Sequence, residues 1–421
     1  VADIARDARA PCQMPYPRWL ETARRHAGRP AIHEAGGSVT FAELATAVSA
    51  APRADGPVIA RSGGVGFFVE VLRAWRDGQA VIPVERDAPE PFLASRPPEG
   101  TVLVKYTPGA SGIPRGIFFT AAQVEADGDR LVAAMDLVPT TPNLAALSLA
   151  HSYGFSNVVL PLVLHGIPAH LAPVPFPRMI EEIFRSHAAL VVPAVPSLWR
   201  AWLRAGILQG APISLALSAG APLGLALEQA VFAASGLKIR NFYGASECGG
   251  ISLDTTDRPR ETGDEVGTPL DGVAVSVDED GRLRVRSSGV ATGYDSPRQD
   301  DVLGDGVYLT RDLGFTDDAG RLHLTGTISG AINVAGRKVS PAKVEAAILG
   351  SGLVRRVRVH GIASVDPERC EEIAAEVELR PGVTLDALKA ALVGGLQGWE
   401  LPRHWSQTKC VEGRDSETSV S

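Results

Sequence analysis

The first 260 residues alternate between two patterns of apolar and polar positions. Short apolar runs such as "GPVIARSG" (56–63) and "PISLALSAG" (212–220) predict buried strands. Stretches such as "VGFFVEVLRAWRDG" (65–78) repeat apolar residues at helical spacing and predict amphipathic helices. Strands and helices in alternation predict a parallel sheet with helical crossovers, in which ligands bind beyond the carboxyl ends of the strands.

The pattern changes near residue 265. Short alternating stretches and DG turns within "VGTPLDGVAVSVDEDGRLRVRSS" (266–288) predict a small antiparallel β unit. A compact α+β segment follows. Its predicted elements, in order, are the helix "SPAKVEAAILGSG", the strands "RRVRVHGIA" and "EEIAAEVEL", and the helix "LDALKAALVGGL".

The predicted fold class is therefore α/β. We expect a large N-terminal domain, residues 1–328, made of parallel α/β sheets and the small β unit. A small α+β C-terminal domain, residues 331–421, follows. Ser329-Gly330 is the predicted hinge, because glycine tolerates dihedral changes that other residues resist.

Composition narrows the functional classes. The chain has 421 residues, of which 45% are hydrophobic and 21% charged, as in a soluble globular protein. Its net charge of −7 argues against a nucleic-acid partner. The four cysteines form no CxxC motif, the start has no signal-peptide pattern, and no apolar run of about 20 residues predicts a membrane span. A cytoplasmic location is expected.

Three stretches carry candidate chemistry. "KYTPGASGIPRG" (105–116) fits either a surface turn or a loop whose glycines let the backbone approach a phosphate. In "NFYGASECGG" (241–250), Tyr243 fits a core position or a stacking ring, and Glu247 fits a surface position or a metal ligand. Asp312, in "LTRDLG" (309–314), is either a turn residue or an acceptor for ribose hydroxyls.

Taken together, these stretches resemble the adenylate-forming superfamily of acyl- and aryl-CoA ligases, peptide-synthetase adenylation domains and luciferases. The phosphate loop YTSGTTGxPKG of that family is here "YTPGASGIPRG", and its YGxTE is "YGASE". Its TGD is "TRD", and its GRxxDxIxxxGxxVxPxEVE is "GTISGAINVAGRKVSPAKVE". The resemblance covers residues 30–415, with further matches at "SVTFAEL", "LSLAHSYGF", "LSAGAPL" and "GVATGY".

The resemblance implies an enzyme that binds ATP, Mg²⁺ and a carboxylic acid and forms an acyl-adenylate. A mobile C-terminal domain would then swing about the hinge, and coenzyme A or a carrier-protein pantetheine would displace AMP to give a thioester. Glu247 would hold magnesium and Asp312 would grip the ribose; these are the candidate catalytic residues. His151, Tyr153, Phe155 and Ala219 would lie at the acid pocket, although His151 fits a strand-end position equally well.

The remaining implied contacts are to the cofactors. Phosphates would be wrapped by Thr107, Gly109, Ser111, Gly112, Arg115 and Gly116. Gly220 and Ala221 would line the adenine and acyl site, and Tyr243 would stack on adenine beside Gly244, which allows a close backbone approach. Ser246 would face the phosphate or the carboxylate. Coenzyme A would pass Gly336. Its phosphates could meet Lys338 and the cluster Arg355, Arg356 and Arg358, although these four residues also fit a solvated face.

Departures from the family pattern cluster in the adenylation motifs. Pro108 and Ala110 stand where hydroxyl residues are usual, Thr327 replaces an arginine, and Ser419 aligns with the adenylating lysine. Arg311 replaces the usual glycine before Asp312, Gly330 replaces the usual hinge aspartate, and Arg115 replaces the usual lysine of the phosphate loop. We therefore expect adenylation to be impaired. Two alternatives stay open: an enzyme that forms only the thioester from an adenylate made by a separate adenylating enzyme, and a non-catalytic adenylate-binding relative.

Overall fold

The computed structural model describes residues 15–34, 36–61, 63–89, 91–107, 114–327, 332–335, 337–364, 366, 371–392 and 395–407. The chain divides into two compact units. Within the described residues, the large unit comprises those from 15 to 107 and from 114 to 327, and the small unit those from 332 to 407.

The helices of the large unit lie between and around its sheets. They are α1 (Tyr16–Arg25), α2 (Phe41–Ala50), α3 (Val65–Arg76), α4 (Ala121–Ala134), α5 (Ser152–Gly154), a π-helical turn (Phe155–Val159), α6 (Leu160–His165), α7 (Pro177–Ser186), α8 (Pro196–Arg204) and α9 (Leu225–Ser235). Helix α2 begins with a capping box, because Thr40 and Glu43 bond each other's backbone N–H groups at 2.8 and 3.2 Å.

The strands of the large unit form three sheets. They are β1 (Pro30–Glu34), β2 (Gly37–Thr40), β3 (Val58–Ala60), β4 (Val81–Pro83), β5 (Thr101–Thr107), β6 (Arg115–Thr120), β7 (Asn143–Ala145), β8 (Ala169–Leu171), β9 (Leu190–Ala194), β10 (Ile213–Ser218), β11 (Ile239–Ala245), β12 (Gly249–Leu253), β13 (Thr268–Pro269), β14 (Ala274–Val277), β15 (Arg282–Arg286), β16 (Gly293–Tyr294), β17 (Leu303–Gly304), β18 (Val307–Thr316) and β19 (Leu322–Thr327).

The largest sheet has the order β13-β12-β11-β10-β9-β7-β8-β1-β2 within the described residues. The strands from β11 to β1 run parallel, while β12, β13 and β2 run antiparallel at the two edges. The carboxyl ends of β7, β9, β10 and β11 therefore meet at one edge. That edge is where a doubly wound sheet binds its ligands.

A second sheet, β16-β6-β5-β4-β3, contains the antiparallel pair that flanks the glycine-rich stretch. Thr107, the last residue of β5, pairs with Arg115, the first residue of β6. The third sheet joins β14-β15-β18-β17, with β19 beside β18, and every pair in it is antiparallel. This is the small β unit that the alternation after residue 265 predicts.

Large aromatic side chains fill the interior between these layers. Trp19, Trp75, Trp199 and Trp202 are fully buried. Buried indoles need hydrogen-bond acceptors, and three of them have backbone partners: Trp75 donates to the carbonyl of Val102 at 2.9 Å, Trp199 to that of Leu217 at 3.1 Å, and Trp202 to that of Pro175 at 3.2 Å. These bonds fix helices α3 and α8 against the sheets.

The small unit has a hydrophobic core of its own, which includes Val344, Ile348 and Leu388. Its elements are β20 (Ile332–Val334), β21 (Arg337–Val339), α10 (Pro341–Gly350), β22 (Val354–Ala363), β23 (Glu371–Leu379), α11 (Leu385–Ala391) and β24 (His404–Gln407). Strands β20 and β21 form a hairpin, and β22-β23-β24 form a sheet in which β24 runs parallel to β23.

The α/β fold class predicted from the sequence is confirmed, and most predicted elements occur. One strand differs: "AALSLA" (145–150) predicts a strand, but β7 ends at Ala145, because the following residues turn toward α5. No helix in the described part of the chain is long and apolar enough to cross a membrane. The predicted hinge at Ser329-Gly330 lies outside the described residues.

Candidate active site at the carboxyl ends of the parallel strands

Strands β10 and β11 deliver the residues predicted to bind a nucleotide. Strand β10 ends at Ser218, and Ala219, Gly220 and Ala221 follow it directly. Gly220 has a φ of +79°, a left-handed conformation that favours glycine and turns the chain away from the sheet. Tyr243 and Gly244 lie near the end of the neighbouring strand β11.

Tyr243 and Asp312 form a direct pair. The Tyr243 hydroxyl donates to Oδ2 of Asp312 at 2.6 Å, which joins the end of β11 to β18 of the small β unit. The Asp312 backbone N–H donates to the Thr310 hydroxyl at 3.1 Å, which fixes the turn around the carboxylate. Burial, followed by the charge of Asp312, raises the pKa of Tyr243 well above its usual value, so the phenol stays a donor.

Glu247 lies in the turn between β11 and β12, and its side chain is buried. Its Oε1 accepts a hydrogen bond from the Tyr294 hydroxyl at 2.9 Å, and its backbone carbonyl accepts from Ala291 N–H at 2.9 Å. Burial and the neighbouring Glu247 carboxylate both raise the pKa of Tyr294. The segment "GVATGY" therefore supports the carboxylate that is predicted to be a metal ligand.

Of the predicted phosphate-binding residues, the structure describes Thr107, Arg115 and Gly116; Gly109, Ser111 and Gly112 lie outside the described residues. Arg115 is buried and forms a salt bridge with Asp301 at 2.5 Å. Its guanidinium also stacks on the Tyr294 ring, 3.8 Å from the ring centre. Gly116 accepts a backbone hydrogen bond from Asp295 at 2.9 Å. The Arg115 charge is thus already compensated by a carboxylate.

The residues predicted for the acid pocket separate into two groups. Tyr153 and Ala219 belong to one apolar cluster, in which the Tyr153 ring lies 5.9 Å from the ring of Phe242. Phe155, in contrast, is fully buried in a different cluster and packs against Phe67. Its side chain is a core residue because the π-helical turn that begins at Phe155 directs it inward.

His151, two residues before Tyr153, lies on the surface. Its Nε2 is 3.1 Å from Oε1 of Glu85, and the side chain is 73% exposed. The next residue, Ser152, donates to the Ser246 hydroxyl at 2.9 Å. This bond brings the turn after β7 against the "YGASE" turn after β11, so these two sequence motifs are neighbours in the fold.

The small unit carries the residues predicted to meet coenzyme A. Gly336 lies outside the described residues, and Lys338 occupies β21, opposite Asn333. Arg355, Arg356 and Arg358 lie on β22 and are exposed, and Arg355 is 3.8 Å from Glu378. These positions fit the solvated-face alternative at least as well as a phosphate contact.

Sequence reasoning missed three buried polar residues beside the site. Lys105 donates to the Ser156 hydroxyl at 3.2 Å, and Ser156 donates to Oδ2 of Asp127 at 2.7 Å. Oδ1 of Asp127 accepts from Gly250 N–H at 3.1 Å, just after the Glu247 turn. The sequence feature that could have revealed this group is the lysine inside the apolar strand "VLVKYT".

Comparison with known proteins agrees with this arrangement. The family model described as "AMP-binding enzyme" matches residues 69–295, more than half of the chain and most of the site. The chain belongs to the AMP-binding enzyme family. The adenylate-forming superfamily suggested by the motifs is therefore confirmed.

Curated members of the family resemble the chain over much of its length. A probable 2-succinylbenzoate–CoA ligase of Mycobacterium tuberculosis is 28% identical over 321 residues, which cover 72% of this chain and 79% of that protein. A long-chain-fatty-acid–CoA ligase of Bacillus subtilis is 25% identical over 342 residues, 74% of this chain and 59% of the relative. The chain thus spans less than two thirds of the second relative's length.

Among solved structures, o-succinylbenzoate CoA synthetase from Bacillus subtilis, bound to a product analogue, superposes on this AMP-binding chain with a TM-score of 0.79. The two chains are 18% identical, and the superposition covers 96% of each. At this identity the likeness establishes the fold.

Proposed function

We propose that this AMP-binding chain is a carboxylic acid–thiol ligase of the acyl- or aryl-CoA type. The observation that carries the proposal is the pairing of Tyr243 with Asp312, next to a buried Glu247 held by Tyr294. An aromatic ring and a buried carboxylate at the end of β11, with Asp312 of β18 bonded to that ring's hydroxyl, suit a nucleotide and its metal ion. The named relatives are CoA ligases, which supports the same class.

In this proposal the Tyr243 ring stacks on adenine, and Asp312 accepts hydrogen bonds from ribose hydroxyls. The hydroxyl of Tyr243 holds one carboxylate oxygen of Asp312 and so orients the other toward the sugar. The turn of Gly220 and Ala221 borders the adenine, and Ser246 faces the phosphate. Thr107, the last residue of β5, lies along the β- and γ-phosphates.

Glu247 fits a magnesium ion, because carboxylate oxygens are the ligands this ion prefers and substrate phosphates complete its shell. The Tyr294 hydrogen bond orients the carboxylate, as outer partners of metal ligands usually do. When bound, Mg²⁺ neutralises charge on the phosphates. Because the Glu247 side chain is buried, bulk water is kept away from its carboxylate.

Two displacements at the same site would make the thioester. A carboxylate oxygen of the acid attacks the α-phosphorus of ATP, and the bond to pyrophosphate breaks. The sulfur of coenzyme A, or of a carrier-protein pantetheine, then attacks the acyl carbon. The bond to AMP breaks, and the thiol proton passes to solvent. The protein contributes mainly by positioning the reactants and stabilising charge.

The wall formed by Tyr153, Ala219 and Phe242 favours an aromatic or medium-length apolar acid. His151, exposed at the rim, would contact its polar end. We propose further that adenylation is the slower of the two steps, since the charge of Arg115 is compensated by Asp301 and is less available to the phosphates. Loss of one preorganised donor to a developing charge typically costs about 10²–10³ in rate.

That same observation favours a second candidate, an enzyme that makes only the thioester from an adenylate supplied by another enzyme. Pyrophosphate exchange distinguishes the two. We expect slow, acid-dependent exchange of labelled pyrophosphate into ATP, together with CoA thioester detected by mass spectrometry, for some member of a panel of aromatic and medium-chain acids. Thioester made from ATP by the chain alone would eliminate the second candidate. No exchange and no thioester with any acid would count against the first.

A further inference from the structure

Three segments that border the proposed site are connected by the buried side chains of Lys105, Ser156 and Asp127. We call these three residues the Lys105 network. Lys105 lies on β5, two residues before Thr107. Ser156 belongs to the π-helical turn that follows the His151 turn, and Asp127 belongs to α4. All three side chains are buried. A π-helical turn costs regular hydrogen bonding and often occurs where a side chain is needed for function.

The ammonium of Lys105 is an expensive group to bury. It is 4% exposed, donates to the neutral hydroxyl of Ser156 and lies 4.9 Å from the centre of the Phe119 ring. Burial lowers the pKa of Lys105, while the charges of Asp127 and Glu247 act in the opposite direction. A leucine or methionine would fill this strand position without that penalty, so the charge requires an explanation.

Asp127 is clamped to the turn that follows Glu247. It accepts the N–H of Gly250, and the backbone of Gly249 lies directly against its carboxylate. Gly249 has a φ of +73°, and a Cβ there would lie 2.0 Å from Oδ1 of Asp127. Only glycine allows this contact. The turn Glu247–Gly249 is therefore held at both ends, by Tyr294 at the Glu247 carboxylate and by Asp127 at Gly249 and Gly250.

We propose that the Lys105 network positions Glu247 for metal binding, with Lys105 as a positioning residue. The role rests on the proposed function, because it assumes that Glu247 holds the ion. Lys105 and Ser156 fix the rotamer of Asp127, and Asp127 fixes the backbone that carries Glu247. Buried hydrogen-bond networks of this kind favour one arrangement of the segments they join.

The positive charge of Lys105 by itself would weaken metal binding, because removing a nearby cation strengthens the attraction of Glu247 for a metal ion. Ser156→Ala separates the two effects. It deletes the link between Lys105 and Asp127 and leaves every charge in place. Ser252→Ala is the matched control: Ser252 is equally buried, and its hydroxyl donates to the Val266 carbonyl at 2.7 Å, outside the network.

The test measures Mn²⁺ binding to the full chain by electron paramagnetic resonance, in the presence of ATP and without an acid, so that no turnover occurs. For Ser156→Ala we expect the Mn²⁺ dissociation constant to rise about 10- to 100-fold, as for other outer partners of metal ligands. Lys105→Met should weaken binding in the same direction. Ser252→Ala should bind Mn²⁺ like the wild type, even if its melting temperature falls.

Wild-type Mn²⁺ affinity in Ser156→Ala would overturn the positioning role, and so would tighter binding in Lys105→Met, which would mean that Lys105 acts through its charge alone. The failure of the proposed function has a different signature. If the wild-type chain with ATP binds no Mn²⁺, then Glu247 holds no metal, and both the proposed function and the role of Lys105 are overturned together.

Discussion

The chemistry of single residues in this protein depends on the partners that each charged group already has. Asp312 accepts from the Tyr243 phenol through Oδ2, so its other carboxylate oxygen stays available for the proposed ribose contact. Arg115 meets a carboxylate and an aromatic ring, so little of its charge is left for a phosphate. Both residues match family motifs in the sequence. Only the structure distinguishes their states.

The Asp312 pairing predicts a graded loss of AMP affinity. Asp312→Asn removes a charged acceptor worth about 1.5–3 kcal/mol, so AMP should bind roughly 10- to 100-fold more weakly. Tyr243→Phe keeps the ring and removes the orienting hydrogen bond, and should cost about 1 kcal/mol, roughly fivefold. Isothermal titration calorimetry with AMP measures both. Tyr16→Phe, a hydroxyl deletion in helix α1, should bind like the wild type; equal affinity in all four proteins would contradict the ribose role.

At the scale of elements, the sequence predicts what depends on local pattern. Apolar spacing predicts α3, β3 and β10, because such elements bury apolar side chains regardless of their partners. The pairing of β5 with β6 and of β23 with β24 was not predicted, since such contacts depend on distant segments. The π-helical turn differs from an α-helix by one residue per turn, which no apolar pattern reveals.

The same limit applies to the site. The motif residues Tyr243, Glu247 and Asp312 could be named from the sequence, and the pairs that orient them could not. The Lys105 network was missed because a lysine in a strand is normally exposed, and its burial depends on Ser156 and Asp127, 51 and 22 residues away along the chain. A sequence pattern cannot predict the burial or the hydrogen bonds of a side chain whose partners are distant along the chain.

Three histidines at the far end of the large sheet give a pH prediction. His33 on β1 and His170 on β8 are register partners, and the ring centres of His170 and His187 are 4.8 Å apart. Burial, with the charges of His187 and His33, lowers the pKa of His170 to about 4. The unfolded chain therefore binds a proton more readily than the folded one, and stability should fall as pH drops from about 6.5 toward 4.

Urea unfolding at several pH values measures this effect. The His170→Gln chain should lose less stability than the wild type between pH 7 and pH 5, because it no longer has a proton to take up on unfolding. Carboxylates contribute equally to both proteins and cancel in the difference. Parallel pH profiles for the two proteins would contradict the neutral state of the half-buried His170.

At the scale of the whole molecule, each unit has its own core. The large unit carries Tyr243, Glu247 and Asp312, and the small unit carries Lys338. A boundary at residues 328–331 remains a prediction, as does the hinge. In the proposed reaction the adenylate is held by the large unit, and the compensated charge of Arg115 weakens the first step. Thioester formation should thus survive better than adenylation.

The most direct test supplies the adenylate and omits ATP. The full chain is mixed with coenzyme A and each of several synthetic aromatic and medium-chain acyl-adenylates, and the thioester and AMP are quantified by mass spectrometry over time. The proposed ligase should release thioester and AMP in equal amounts from at least one adenylate, faster than the same acid is adenylated from ATP. No thioester above the rate without protein, from any adenylate, would contradict the proposed function.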